Sequence, residues 1–258
     1  MPSHRITRVQ LCGQIAVVAD GVRVEDALPG RQGRLVFGYL SSHRQRPVSR
    51  DELLDVLWPD AVSSSSSATL TVLLSKIRAV LGSDALHGRG TLQLHLPAAA
   101  VIDTEVAAAS VHEAESASSL GEWQRAWGPA LTAHLIAKRP FLLGHDGAWI
   151  DEERTRLELI HARALACYAQ ASLGIGGTEL PGAERAAREL IRVAPLSETG
   201  YRLLMRALAA YGDTASALQT YERLRRILHE ELGILPGQEA RDLHQQLLTQ
   251  RPSSVLPR

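Results

Sequence analysis

The spacing between apolar residues changes period along this chain, and the positions of the change limit the folds it can adopt. Over the first two dozen residues the period is short. Val9-Gln10-Leu11-Cys12-Gly13 and Gln14-Ile15-Ala16-Val17-Val18 read as strands, Ala19-Asp20-Gly21 as a hairpin turn and Val22-Arg23-Val24 as the return strand. The period then becomes helical: Leu35, Val36, Tyr39 and Leu40 predict a helix from Gly33 to Ser41. A second helix begins at the capping box Ser49-Arg50-Asp51-Glu52, with Val48 and Leu53 as its hydrophobic staple and Trp58-Pro59-Asp60 as its end.

A third helix is expected over Ala68 to Leu81, after a serine run from Ser63 to Ser67 that reads as a loop. Leu70, Leu74, Ile77 and Leu81 form one apolar stripe, with Leu73 and Val80 beside it. The opposite side carries Thr71, Val72, Ser75, Lys76 and Ala79, with Arg78 at the border, and Gly82 stops the helix. His87-Gly88-Arg89-Gly90 is the tip of a hairpin between Ala85-Leu86 and the run from Thr91 to Leu96. Strands, three helices and a hairpin over 8–96 are the element order of a winged helix with a small N-terminal sheet. From Asp103 onward helices are expected near 103–118, 121–137, 148–174, 182–194, 197–211, 213–231 and 236–250, broken at glycine and proline. Ala183, Ala187 and Leu190 recur 34 positions later as Ala217, Tyr221 and Leu224, the period of tetratricopeptide helix pairs; an ordinary alanine-packed bundle is the other reading.

The predicted fold class is therefore an α+β N-terminal winged helix-turn-helix followed by an all-α tetratricopeptide-like helical domain. The expected boundaries are 1–97, 98–251 and a disordered tail at 252–258. A chain of 258 residues accommodates two such domains. It has no run approaching the ~20 apolar residues of a membrane span and no signal-peptide pattern, so a cytoplasmic protein without membrane contact is expected. Cys12 and Cys167 are too far apart and too few for a disulfide scaffold, and read as small buried hydrophobes. The formal net charge is zero, which argues against coating of nucleic acid along the whole length; residues 1–97 nevertheless carry +3 and the remainder −3. With Lys76 and Lys138 the only lysines, the basic side chains are almost all arginine, as in proteins from GC-rich genomes.

Catalytic templates fail. The chain contains no His-Glu-x-x-His, no Gly-x-x-x-x-Gly-Lys-Ser/Thr and no Gly-x-Ser-x-Gly. Gly174-Ile175-Gly176-Gly177 follows a helix rather than a strand and reads as a turn, while Asp151-Glu152-Glu153 suits a helix N-terminus. No enzyme activity, cofactor or metal is expected. The 68–81 helix has a more specific logic, because a helix fits the major groove and presents side chains to base edges. Thr71 and Ser75 can hydrogen-bond bases, Val72 can touch a thymine methyl, Lys76 and Arg78 can reach guanine or phosphate, and Arg89 at the hairpin tip can enter a minor groove. A merely solvated helix face explains the same residues equally well from spacing alone.

The chain resembles the Streptomyces antibiotic regulatory protein type of transcriptional regulator, an actinobacterial family. The resemblance rests on Arg46-Pro47-Val48-Ser49-Arg50-Asp51-Glu52-Leu53 with Leu57-Trp58, on Leu73 to Gly82, and on Trp123 to Pro129 with Pro140-Phe141-Leu142. It extends through Tyr201 to Met205 and through Ala217 to Arg225 with Glu230-Glu231-Leu232-Gly233 and Pro236. It implies a response-regulator-style winged helix joined to a bacterial transcriptional activation domain. It further implies that 68–81 is the recognition helix, that 58–67 touches RNA polymerase or phosphate, and that Trp58 offers its indole N–H to a phosphate. Ser66, Ser67, Thr71, Val72, Ser75, Lys76, Arg78, His87 and Arg89 complete the implied DNA-binding set. Ala79 and Ser75 stand at often basic positions, which thins the phosphate anchoring, and Thr91 stands where an aromatic often follows the wing glycine, which leaves the pose of the wing open. No receiver, phosphopeptide-binding or ATPase module is read in the chain, so control through such a module is not expected.

The expected function is a sequence-specific activator of transcription with promoter DNA and RNA polymerase as partners. A homodimer and a small-molecule effector are left open, as are the operator and the regulated genes. Two other classes remain in view: a tetratricopeptide-like protein-interaction adaptor, and a ligand sensor using Trp123, Trp127, Trp149 and Tyr168, which otherwise read as core anchors.

Overall fold

Asp20 and Gly21 both adopt positive φ, +50° and +80°, as a two-residue hairpin turn of the Asp-Gly kind requires. That turn organises the start of the fold. The structure, a computed structural model, describes residues 6–59 and 64–249, so the tail expected at 252–258 lies outside the described residues. The chain divides into two compact units, one of Met1–Ala108 with Leu135–Leu157, the other of Ala109–His134 with Glu158–Arg258.

In the first unit, strands β1 (Ile6–Gln10), β2 (Ala16–Ala19) and β3 (Val22–Arg23) precede helix α1 (Gly30–Ser42). Strand β4 (Val48–Ser49) leads into α2 (Arg50–Leu57), and α3 (Ser64–Leu81) into the hairpin β5 (Leu86–His87) and β6 (Thr91–Leu94). Strand β7 (Val101–Ile102) leads into α4 (Asp103–Ser119). One sheet has the order β3-β2-β1-β7, with β7 parallel to β1 and the other pairs antiparallel; the second has the order β4-β6-β5. The short strands β4 and β7 are not visible in the sequence pattern, because two residues show no alternation.

The loop expected over Ser63 to Ser67 is instead helix from Ser64 onward. Serine costs a helix only a few tenths of a kcal/mol per residue. Here that cost is offset by packing, since Ser66 is 4% exposed and lies on the inward side with Leu70. Leu70, Leu74, Ile77 and Leu81 are all essentially inaccessible, as are Val36, Phe37 and Leu40 of α1 and Leu53 of α2, the two helices that α3 packs against, and Leu86, Leu92 and Leu94 of the hairpin are buried too. At about 2 kcal/mol for each buried aliphatic side chain, this stripe fixes the rotation of α3.

The α2 cap forms as the sequence predicts: the Ser49 hydroxyl accepts from the Glu52 amide at 3.0 Å, and Val48 and Leu53 are buried. The Glu52 carboxylate has a larger task than closing the box. It accepts from the Arg46 guanidinium and from the Tyr39 hydroxyl, joining α1, the segment before β4 and α2. Arg46, ahead of the smaller contributions of Tyr39 and the Ser49 amide, holds the Glu52 carboxyl down at about 2. A buried carboxylate, Asp103, organises the sheet. Asp103 accepts from the amides of Leu11 at 2.9 Å and Cys12 at 3.0 Å, with the Arg139 guanidinium 3.5 Å away. The chain beyond β1 is also held by the Gly13 amide on the Pro140 carbonyl and the Leu142 amide on the Leu11 carbonyl.

The second unit is helical. It contains α4 from Ala109, α5 (Trp123–Ala137) up to His134, and α6 (Ala148–Ile175) from Glu158, then α7 (Leu180–Val193), α8 (Glu198–Ala210), α9 (Thr214–Leu232) and α10 (Gln238–Thr249). The two triplets that recur at 34 residues, Ala183, Ala187 and Leu190 in α7 and Ala217, Tyr221 and Leu224 in α9, are all buried, and all but Ala183 share one core with Tyr201, Leu204 and Met205 of α8. Small residues bring helices close elsewhere: Ala114 and Ala130 meet Cys167, and Ala117 and Ala126 meet Ala171. Both cysteines are buried free thiols. Among the described residues no helix is long and apolar enough to cross a membrane.

Two outcomes follow from these carboxylates. Asp103→Ala strips the acceptor from two buried amides and lowers unfolding free energy by about 2–4 kcal/mol in urea titration. Because the Glu52 carboxyl titrates lower in the folded than in the unfolded chain, its contribution is complete above the ordinary carboxylate range. It is lost as pH falls from about 4.5 toward 2. Glu52→Gln therefore costs about 2 kcal/mol at pH 7 and almost nothing at pH 2, a difference visible in thermal melts across that range.

Candidate nucleic-acid interface

With the leucine stripe of α3 inward, Thr71, Val72, Ser75, Lys76 and Ala79 face solvent, Val72 at 53% exposure despite being apolar. Lys76 has no hydrogen-bond or ion-pair partner among the described residues. Thr71 is less available than its position suggests. Its hydroxyl donates to the Ser67 carbonyl at 2.9 Å and accepts from the Arg50 guanidinium at 2.7 Å. It thereby aims Arg50 along the face and keeps one lone pair for another donor.

Arg78 departs from the sequence expectation. Its Nε donates to the Leu86 carbonyl at 3.1 Å and its Nη2 to the Gly88 carbonyl at 2.6 Å, so the side chain ties α3 to the hairpin instead of projecting toward a base. Burial, then repulsion from Arg50 and Arg89, lowers its proton affinity below that of an ordinary arginine. The hairpin is held from the other side as well: β4 pairs with β6 through Val48–Leu92 and Ser49–Thr91, and the Arg50 amide donates to the Gly90 carbonyl at 3.2 Å. Gly88 sits at φ +89°, and a Cβ there would lie 1.8 Å from the Thr91 carbonyl oxygen, so the tip closes only around glycine. Arg89 follows it fully in solvent, and His87, also exposed, packs edge-on against His95 with ring centres 4.2 Å apart.

This geometry is that of a winged helix, and comparison with known proteins agrees with that fold. The bacterial transcriptional activator domain model matches residues 102–248, and the model of the C-terminal domain of transcriptional regulatory proteins matches 29–90. This chain belongs to the bacterial transcriptional activator domain family. The two matches in this order are those of the Streptomyces antibiotic regulatory protein type. Similar proteins include the regulatory protein AfsR of Streptomyces griseus, 29% identical over 84% of this chain and 22% of its own. The transcriptional regulatory protein EmbR of Mycobacterium tuberculosis is 26% identical over 94% of this chain and 63% of its own. The structure of M. tuberculosis EmbR in complex with a low affinity phosphopeptide superposes with a TM-score of 0.83 at 24% identity, over 96% of this chain and 66% of that one. The chain thus spans about a fifth of the AfsR protein and under two thirds of EmbR.

In this family member the remaining expected residues fall in different places. Ser66 is buried and takes no part in the outward face, whereas Ser67 is exposed and uses its carbonyl to accept from Thr71 and Arg50. Trp58 is half-buried at the end of α2, where its amide donates to the Leu54 carbonyl; residues 60–63 lie outside the described residues. The four aromatics are divided between the two units. Trp149 packs edge-on against Tyr39 and Phe141 in the first unit. In the second, Trp127 donates to Glu179 and lies beside Tyr168, and Trp123 covers Gly174. Among the described residues the α3 face and wing hold no cluster of metal-ligating groups.

Arg50 is the residue that sequence reading missed. It was absorbed into the capping box, and only the fold shows its guanidinium reaching Thr71 a whole helix away. Other arginines of the first unit are paired with carboxylates: Arg23 with Glu25, Arg34 with Asp26, Arg44 with Glu105 and Arg46 with Glu52.

Gly88→Ala is expected to destabilise the first unit by about 2 kcal/mol or more in denaturant titration, since neither its φ nor its space admits a side chain. Gly90→Ala, with nothing within 4 Å of the added Cβ, should fall within about 0.5 kcal/mol of the parent.

Proposed function

We propose that this chain is a sequence-specific DNA-binding activator whose reading module is 1–97 and whose activation domain is 98–251. Helix α3 lies in the major groove and Arg89 enters the adjacent minor groove. Residues 58–67, with Trp58, meet phosphate or RNA polymerase. What carries this reading is the α3 face itself: Val72, Ser75 and Lys76 stand outward over a fully buried ridge, flanked by Arg50 and Arg89, a mix suited to base edges and phosphates together. Family membership supports the regulatory role. A cytoplasmic site of action fits the reading.

The cations left over on this face are Arg50, Lys76 and Arg89. Neutralising about three phosphates gives a log K against log salt slope of roughly −3 per subunit, a weak single hold. Two subunits on repeated half-sites about one helical turn apart then supply operator affinity. The second unit contributes contacts to a partner subunit or to polymerase.

The test is selection of duplexes from a random pool, followed by fluorescence anisotropy on the enriched sequence and on duplexes with one or two repeats. Lys76→Ala should weaken binding about equally on all sequences and flatten the salt slope by about 1. Val72→Ala and Ser75→Ala should instead change base preference, by about 1 kcal/mol each. Failure to enrich any sequence, or tight holding of a single half-site at physiological salt, overturns the reading.

A further inference from the structure

Three ligand-bearing side chains converge in the second unit, each from a different helix. His134 of α5 and His161 of α6 face each other with Nδ1 and Nε2 3.1 Å apart, and the Glu189 Oε1 of α7 lies 3.6 Å from the same His161 nitrogen. All three donor atoms are within 4.8 Å of one another. His161 is buried and the other two are half-buried. The rings are 5.1 Å apart at 21°, and Tyr168 lies parallel to His134 with ring centres 6.5 Å apart.

Two of the three separations lie near what a small cation needs, and the third is within 4.8 Å. Tetrahedral zinc, with ligands at 2.0–2.2 Å, sets neighbouring donor atoms ~3.3–3.6 Å apart. The observed 3.1 and 3.6 Å bracket that range. Two imidazoles and one carboxylate are borderline donors suited to divalent transition metals rather than to calcium or magnesium. An imidazole nitrogen can either share a proton with its neighbour or give its lone pair to a cation, so the same pair of rings serves both states. The competing positive group is Arg192, whose guanidinium is 3.5 Å from Glu189 and largely in solvent, free to turn away.

We propose that His134, His161 and Glu189 bind one divalent transition-metal ion of the zinc class, with the fourth position open to water or to a ligand from outside. The ion ties α5, α6 and α7 together at one point. Because a chain without these helices in register has no such site, the ion stabilises the folded second unit in proportion to its concentration. The proposal stands apart from DNA reading, since none of the three residues belongs to the α3 face.

The full chain, stripped with a chelator and dialysed, is titrated with Co²⁺ followed by absorption in the visible range, then with Zn²⁺. One Co²⁺ per chain with the intense d–d bands of four-coordinate cobalt, displaced by Zn²⁺, is expected, together with a rise in Tm of several degrees. Glu189→Gln and His134→Gln, both at half-exposed positions, should each weaken binding at least tenfold, and Arg192→Ala should leave it unchanged or tighter. Circular dichroism confirms that each variant is folded, and the titration of the parent chain decides if one is not. No stoichiometric binding by the parent, weak octahedral-type bands only, or binding that survives both ligand substitutions overturns the proposal.

Discussion

Everything the first unit presents to solvent depends on how four side chains of one helix are buried. Leu70, Leu74, Ile77 and Leu81 are at most 1% exposed, and their helix packs against α1 and α2. Rotating α3 by a single residue position would pull part of that stripe into water and push Ser75 or Lys76 into the core. The cost of several kcal/mol exceeds anything the exposed face could gain in the unbound protein. Hydrophobic burial therefore decides which atoms a duplex would meet, although no buried residue touches it. The hairpin is then positioned by polar contacts: Arg78 from α3, the Arg50 amide from α2 and the β4–β6 ladder all converge within the few residues around Gly90.

The fold was legible wherever local chemistry repeats itself. Helical stripes, the Ser49 cap and the Asp20-Gly21 turn each signal their state within one or two turns of chain, and the α7 pattern repeats itself in α9. What escaped were features made by residues distant in sequence. Strand β7 exists because it finds the edge of β1, and Asp103, which reads as an ordinary helix-starting acid, in fact holds the amides of Leu11 and Cys12. The serine run was misjudged for the opposite reason. Its weak propensity says loop, but a neighbouring core reaches Ser66 and extends α3 backward.

The candidate site was legible as a face and not as a set of roles. Outward placement of Val72, Ser75 and Lys76 follows directly from the stripe. The hydrogen bonds that engage Arg78 and Thr71 cannot be read from the stripe, because they depend on where the hairpin carbonyls and Arg50 come to rest. The histidine pair of the second unit was invisible for the same cause, with its members on separate helices and no short motif linking them.

On the proposed reading, retargeting the α3 face to a different operator is confined by the same contacts. Position 88 admits no side chain and Arg78 is occupied by hairpin carbonyls, so a change at either would disturb the scaffold before it altered sequence preference. Positions 72, 75, 76 and 89 carry no such duty. Drift among related regulators can rewrite those four at little structural risk, which makes DNA preference far easier to evolve than the shape that delivers it.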